Sequence, residues 1–118
     1  TFVLYLPFNE IHDLGLLFLH HEIITSGHKS IYLGRSLPIE NLIDLNNHFN
    51  KITYITYLTV EPTEDEIENY INEFSNTILK DNDNELLIFG RKAKTINHEK
   101  LPKKIQSIEN MQDFIATL

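Results

Sequence analysis

Apolar residues fall along this chain in two alternating spacings, one nearly continuous and the other recurring every three to four positions. Phe2 to Leu6 is a block of the first kind, ended by Pro7, and predicts a strand. From Leu14 the spacing turns helical, with Leu14, Leu17, Phe18, His21 and Ile24 on overlapping faces as far as Gly27. His21 is expected on or beside the buried face of that helix. A short strand follows over Ser30 to Leu33, stopped by Gly34. Pro38 then suits the first turn of a helix running to about Phe49 or Asn50, where a missing N–H costs nothing. The β-branched and aromatic block Ile52 to Val60 is the strongest strand signal in the chain. After Pro62, Thr63 and the acids Glu64, Asp65 and Glu66 supply a cap and a negative first turn for a helix reaching about Lys80.

Asp81 to Asn84 is a turn cluster, and Leu86 to Gly90 reads as a strand buried on both faces. Weaker signals predict a helical turn within Asn97 to Lys104, a fifth strand at Ile105 to Ile108 and a last helix over Met111 to Leu118. Alternating strands and helices imply parallel strands joined by right-handed crossovers, hence a three-layer α/β sandwich of the flavodoxin-like, Rossmann-like kind. Ligands of such sheets bind beyond the carboxyl ends of the strands, so the strand-to-helix loops are where chemistry is sought.

Composition narrows the classes. A chain of 118 residues with 42% hydrophobic and 23% charged residues forms one ordinary globular domain, 1–118. The net charge of −7 repels a polyphosphate, which argues against direct nucleic-acid binding by this domain. The basic stretch Lys92, Lys94, Lys100, Lys103 and Lys104 is too diluted by acids to change that. With no cysteine there are no disulfides, thiolate metal sites or cysteine nucleophiles, which is consistent with a cytoplasmic location. No apolar run is long enough to span a membrane. The opening Thr1 to Leu6 has neither a basic segment nor an initiator methionine and reads as a strand already under way, so an excised domain is expected.

The informative loop is the first, Phe8-Asn9-Glu10-Ile11-His12-Asp13-Leu14-Gly15. An acid two residues before a histidine can accept one ring N–H, fix the tautomer and leave the other nitrogen for a metal. Gly15 would let the backbone approach a flat ligand closely. Glu10-x-His12-x-x-Gly15 resembles the D-x-H-x-x-G signature of cobalamin-binding domains, with Glu in place of Asp. His12 to Leu17, Ser26-Gly27-His28, Ile31 to Gly34 and Leu37-Pro38 are similar to the C-terminal cobalamin module of MerR-type transcriptional regulators, light-sensing ones included.

That resemblance implies a five-stranded parallel sheet in the order 2-1-3-4-5. It also implies base-off cobalamin, in the adenosyl or methyl form, with His12 as lower cobalt ligand and Glu10 orienting it. Asp13, Leu14, Gly15 and Gly34 would border the cofactor. Thr56 and Leu58 would stand for the S-x-L of the third strand, and Gly90 and Arg91 for the paired glycine after the fourth, both lining the slot for the displaced nucleotide tail. Phe89-Gly90-Arg91 keeps one glycine of the pair, so either Phe89 narrows the slot or Arg91 meets the tail phosphate.

The leading expectation is a sensory domain, not an enzyme. DNA binding and the helical bundle over the upper corrin face would lie in absent parts of a self-associating parent protein. A degenerate fold kept as a dimerisation or protein-interaction module is the second expectation. A corrinoid-carrying domain of a methyltransferase or mutase ranks lower, as the chain shows no catalytic residues. The other histidines read as structural or surface residues. A phosphorylatable receiver and a flavodoxin are disfavoured by Thr59-Val60-Glu61, Ser107-Ile108-Glu109 and Phe8-Asn9-Glu10 at their key loops.

Overall fold

The computed structural model describes all residues, Thr1–Leu118. Five parallel strands lie in the order β2-β1-β3-β4-β5, as expected: β1 (Phe2–Pro7), β2 (Ser30–Leu37), β3 (Thr53–Tyr57), β4 (Glu85–Phe89) and β5 (Ile105–Ser107). Three α-helices, α1 (Leu14–Thr25), α2 (Glu64–Thr77) and α3 (Met111–Ala116), join a 3-10 run at Ile39–Asn47 and two shorter 3-10 turns at Arg91–Thr95 and His98–Lys100. The architecture is the flavodoxin-like sandwich that the alternation of elements implies.

Strand pleating divides the core into two layers. Val3, Tyr5, Tyr54, Leu86 and Ile88 face the 3-10 run and α2, where Leu42, Ile67, Ile71 and Phe74 close the layer. Leu4, Leu6, Ile55, Leu87 and Phe89 face α1, whose Leu16, Leu19 and Ile23 cover them, with Phe114 of α3 packed at the margin. Both faces of the central strands are thus buried, which is why they read as near-continuous apolar blocks.

Four elements depart from the sequence expectations. Strand β2 runs to Leu37 because Gly34, at φ +90, sits in a bulge where the register with β1 shifts. The segment after Pro38 forms a 3-10 run rather than an α-helix. Strand β3 ends at Tyr57, since the next amides leave the ladder for a side chain: Leu58 N–H still bonds Phe89 O, but Thr59, Val60 and Glu61 donate to Glu10.

Helix α1 is the fourth departure. Its buried stripe is Leu16, Leu19 and Ile23, while Leu14, Leu17, Phe18, His21 and Ile24 face outward. An amphipathic reading picks one of two apolar stripes when a helix carries both, and burial goes to the one that fits the sheet. No helix is long and apolar enough to cross a membrane.

Candidate functional site

Three loops meet at the carboxyl edge of the sheet, and Glu10 ties them together, the loops after β1 and β3 through its carboxylate and the end of β2 through its backbone carbonyl. After β1 the chain turns through Asn9, at φ +68, a residue that tolerates the left-handed region. Glu10 N–H bonds back to Pro7 O, and Ser36 N–H from the end of β2 bonds Glu10 O. The Glu10 side chain is fully buried. Its Oε1 accepts the N–H groups of Val60 at 2.6 Å, Thr59 at 2.9 Å and Glu61 at 3.1 Å. Oε2 accepts Ile11 N–H at 2.9 Å, His12 N–H at 3.1 Å and the His12 ring Nδ1–H at 2.8 Å.

Burial alone would push this carboxyl up. The Val60 amide, the His12 ring and amide, and the Thr59 amide overcome that and hold it down at about 2. An ionised carboxylate only accepts hydrogen bonds, so His12 Nδ1 carries the proton in this contact. In the neutral ring Nε2 is then the lone-pair nitrogen, on a side chain that is 55% exposed.

The surface around this ring is apolar. Ile11, Leu14, Gly15, Phe18 and Tyr57 line, with His12, Asp13 and Thr59, an open depression of about 670 Å³. Leu14 is 82% exposed, and Ile11 and Phe18 are also exposed. Asp13 is held from the side by Tyr32 Oη–H at 2.9 Å, with Arg35 Nε 3.8 Å away. Burial, together with that bond, pushes the Tyr32 phenol up to about 12.

The structure therefore brings Glu10, His12, Asp13, Leu14 and Gly15 into one place. Gly90 and Arg91 line a smaller adjoining depression of about 280 Å³ with Lys94 and Glu109, and Tyr57 borders both. Three expected lining residues lie elsewhere. Thr56 is fully buried on the α2 side of the sheet, because the pleat that turns Tyr57 toward α1 turns Thr56 away. Leu58 is buried in that same α2-side core. Gly34 serves the β2 bulge, with only the Tyr32 ring near its missing Cβ.

The two glycines expected to make room for a ligand are used by the chain itself. A Cβ on Gly15 would stand 2.6 Å from the Tyr57 ring, and one on Gly90, at φ +101, 2.6 Å from Leu58 O. Phe89 is buried against α1 and α3, its ring edge-on to Phe114 at 5.2 Å. Arg91 is exposed and plugs nothing.

Sequence reasoning misses Ile11, Phe18, Tyr57 and Thr59. Phe18 is legible one turn after Leu14, and Tyr57 follows from asking which face of β3 looks at α1. The backbone donors of Thr59 to Glu61 carry no residue-type signal.

No family model matches this sequence. No curated protein matches it either. Among solved structures it is similar to the monomethylamine corrinoid protein of Methanosarcina barkeri, at 14% identity and a TM-score of 0.73, over 98% of this chain and 55% of that one. It is also similar to a cobalamin-binding protein from Desulfitobacterium hafniense DCB-2, at 18% identity and a TM-score of 0.64, over 83% of this chain and 46% of that one. The chain spans about half the length of these structures, and what it shares with them is the fold.

Proposed function

We propose that this chain is a corrinoid-binding module in which His12 Nε2 is the lower axial ligand of cobalt. One observation carries the reading: an exposed imidazole, held by a buried carboxylate through its other nitrogen, stands inside an exposed apolar rim. No group of three or more His, Cys, Asp or Glu side chains could hold a metal ion. A metal served by His12 alone has to arrive with its own equatorial chelate, which a corrin provides. The apolar rim suits the edge of such a macrocycle. When bound, the corrinoid would supply a cobalt centre with exchangeable axial ligands. Glu10 orients the ring that meets it, and Ile11, Leu14 and Phe18 exclude water from beside it.

The finer reading is a sensory domain of a MerR-type regulator, with adenosyl- or methylcobalamin as cofactor, and without enzymatic activity of its own. Glu10-x-His12-x-x-Gly15 and the run through Gly34 to Leu37-Pro38 support it. With a net charge of −7, DNA contact would fall to another domain of a self-associating parent protein. Over 98% of its length the chain also overlays a protein described as a corrinoid protein, which keeps a carrier role as the alternative.

Absorbance titration of hydroxocobalamin and of aquacobinamide against wild type and His12→Ala tests the ligand assignment. Cobinamide has no base of its own, so a shift to a nitrogen-ligated spectrum that His12→Ala lacks identifies the ring. Identical titrations of the two proteins would remove the assignment. A second reading, a fold retained for protein interaction after loss of the cofactor, is favoured by the buried Phe89 and the Tyr57–Gly15 contact. Unchanged amide NMR spectra with millimolar amounts of either corrinoid would select it.

A further inference from the structure

Glu10 grips the N–H side of the loop after β3, and Lys92 grips its carbonyl side. Lys92 lies in the 3-10 turn Arg91–Thr95 that follows β4, and that turn is fixed at its root. The Lys92 N–H bonds Leu58 O at 3.0 Å, and the next residue, Ala93, is fully buried with its carbonyl accepting Ser107 Oγ–H of β5 at 2.7 Å. From this base the side chain reaches the β3 loop, where Nζ donates to Pro62 O at 2.8 Å and to Val60 O. It forms no ion pair, although Glu61, Glu64, Asp65 and Glu66 stand in that loop and the first turn of α2. Its charge is directed at main-chain carbonyls.

One peptide group joins the two grips. The Val60 carbonyl and the Glu61 N–H belong to the same trans unit and point in opposite directions. Lys92 holds the oxygen, and Glu10 Oε1 accepts the N–H at 3.1 Å. A cation at the oxygen polarises the unit so that its N–H is a stronger donor, as in any chain of hydrogen bonds. The other oxygen of the same carboxylate accepts His12 Nδ1–H at 2.8 Å. Thr59 of the gripped loop lines the depression beside His12, whereas Lys92 does not. Resting on the corrinoid reading above, we infer that Lys92 is a positioning residue of the His12 site. It holds the donors of the β3 loop against Glu10, so the carboxylate that orients the imidazole is fixed before a corrinoid arrives. Without Lys92, part of the binding energy goes to ordering that loop, and affinity falls while the nitrogen that meets cobalt stays the same.

Lys92→Met keeps the reach of the side chain and removes its donors, and Lys92→Arg restores a cation able to donate to two carbonyls. Lys103→Met, at an exposed lysine, makes the same change in net charge. In the free proteins, amide hydrogen exchange at Glu61 is expected to be about tenfold faster in Lys92→Met, with the strand amides of β1 and β3 unchanged, and to return toward wild type in Lys92→Arg. An unchanged Glu61, or uniform acceleration through the strands, would overturn the inference. Aquacobinamide is expected to bind Lys92→Met about fivefold more weakly than wild type or Lys103→Met, reaching the same nitrogen-ligated spectrum at saturation. Equal affinity would overturn the positioning role and leave the corrinoid reading standing. A wild-type chain that binds no corrinoid would remove that reading and this role with it, a result distinct from either of those.

Discussion

Replacing Glu10 by Gln isolates the charge of the buried carboxylate while keeping its shape. All six groups that face the two carboxylate oxygens are donors: five backbone N–H groups and the His12 ring. Whichever way the amide of Gln turns, its NH₂ meets N–H groups across the contact, so three acceptor positions become repulsive. The depression of the Glu10 carboxyl from 4.5 to about 2 sets the scale, equivalent to about 3 kcal/mol of preference for the ionised form in the folded chain. Glu10→Gln should therefore lose about 3 kcal/mol at pH 7, read as a lower urea midpoint at unchanged slope.

Acid should erase the difference. A group whose folded value lies below its unfolded value contributes fully above the unfolded value, here 4.5, and loses that contribution as pH falls toward about 2. The gap between wild type and Glu10→Gln should be constant from pH 7 to about 5.5 and then shrink steadily toward pH 2. A loss below about 1 kcal/mol at pH 7, or a gap independent of pH down to 3, would refute the charged clamp.

Two further substitutions separate positions the chain needs from positions it leaves free. Gly90→Ala combines a left-handed backbone, φ +101, with a methyl 2.6 Å from Leu58 O, and should cost at least about 2 kcal/mol by thermal or urea unfolding. Leu14→Glu, at a side chain 82% exposed, should change the urea midpoint by the equivalent of less than about 0.5 kcal/mol. A loss above about 1.5 kcal/mol there would show that the outer stripe of α1 is packed in the free chain.

The sheet is legible in the sequence because its strands bury both faces: Phe2–Leu6, Ile52–Tyr57 and Leu86–Phe89 leave no other use for such blocks. Parallel order follows from the alternation of elements. Helix α1 misleads because Leu14, Leu16, Leu17, Phe18, Leu19, Ile23 and Ile24 place apolar groups on two stripes, and only the shape of the sheet chooses between them. Distance along the chain puts Thr56 at the site, yet in a strand a one-residue difference reverses the face, and Tyr57 stands there. Glu10 and His12 are legible as a pair, since two residues of separation allow a carboxylate to reach an adjacent ring. The grip of Thr59 to Glu61 on Glu10 is not, because backbone amides have the same chemistry in every residue but proline.

That grip gives Glu10 a role independent of any ligand, and amide hydrogen exchange can separate the two. The N–H groups of Thr59, Val60 and Glu61 lie in no strand or helix, and the acceptor they share is Glu10 Oε1. If the carboxylate holds them with about 3 kcal/mol, their exchange should be slowed on the order of a hundredfold relative to free peptide. Glu10→Gln should abolish the protection at these three amides, whereas His12→Ala, which removes one of six contacts, should leave most of it. Unprotected amides in the wild-type chain would mean the loop after β3 is not clamped to the loop after β1. Protection lost equally in both variants would mean that the imidazole, and not the carboxylate, organises the edge. The expected pattern has a consequence for reading the motif: a buried acid two residues before a histidine is accounted for by loop closure alone. The pair therefore becomes evidence for a metal-bound cofactor only through the exposed ring beyond it and the apolar rim around that ring.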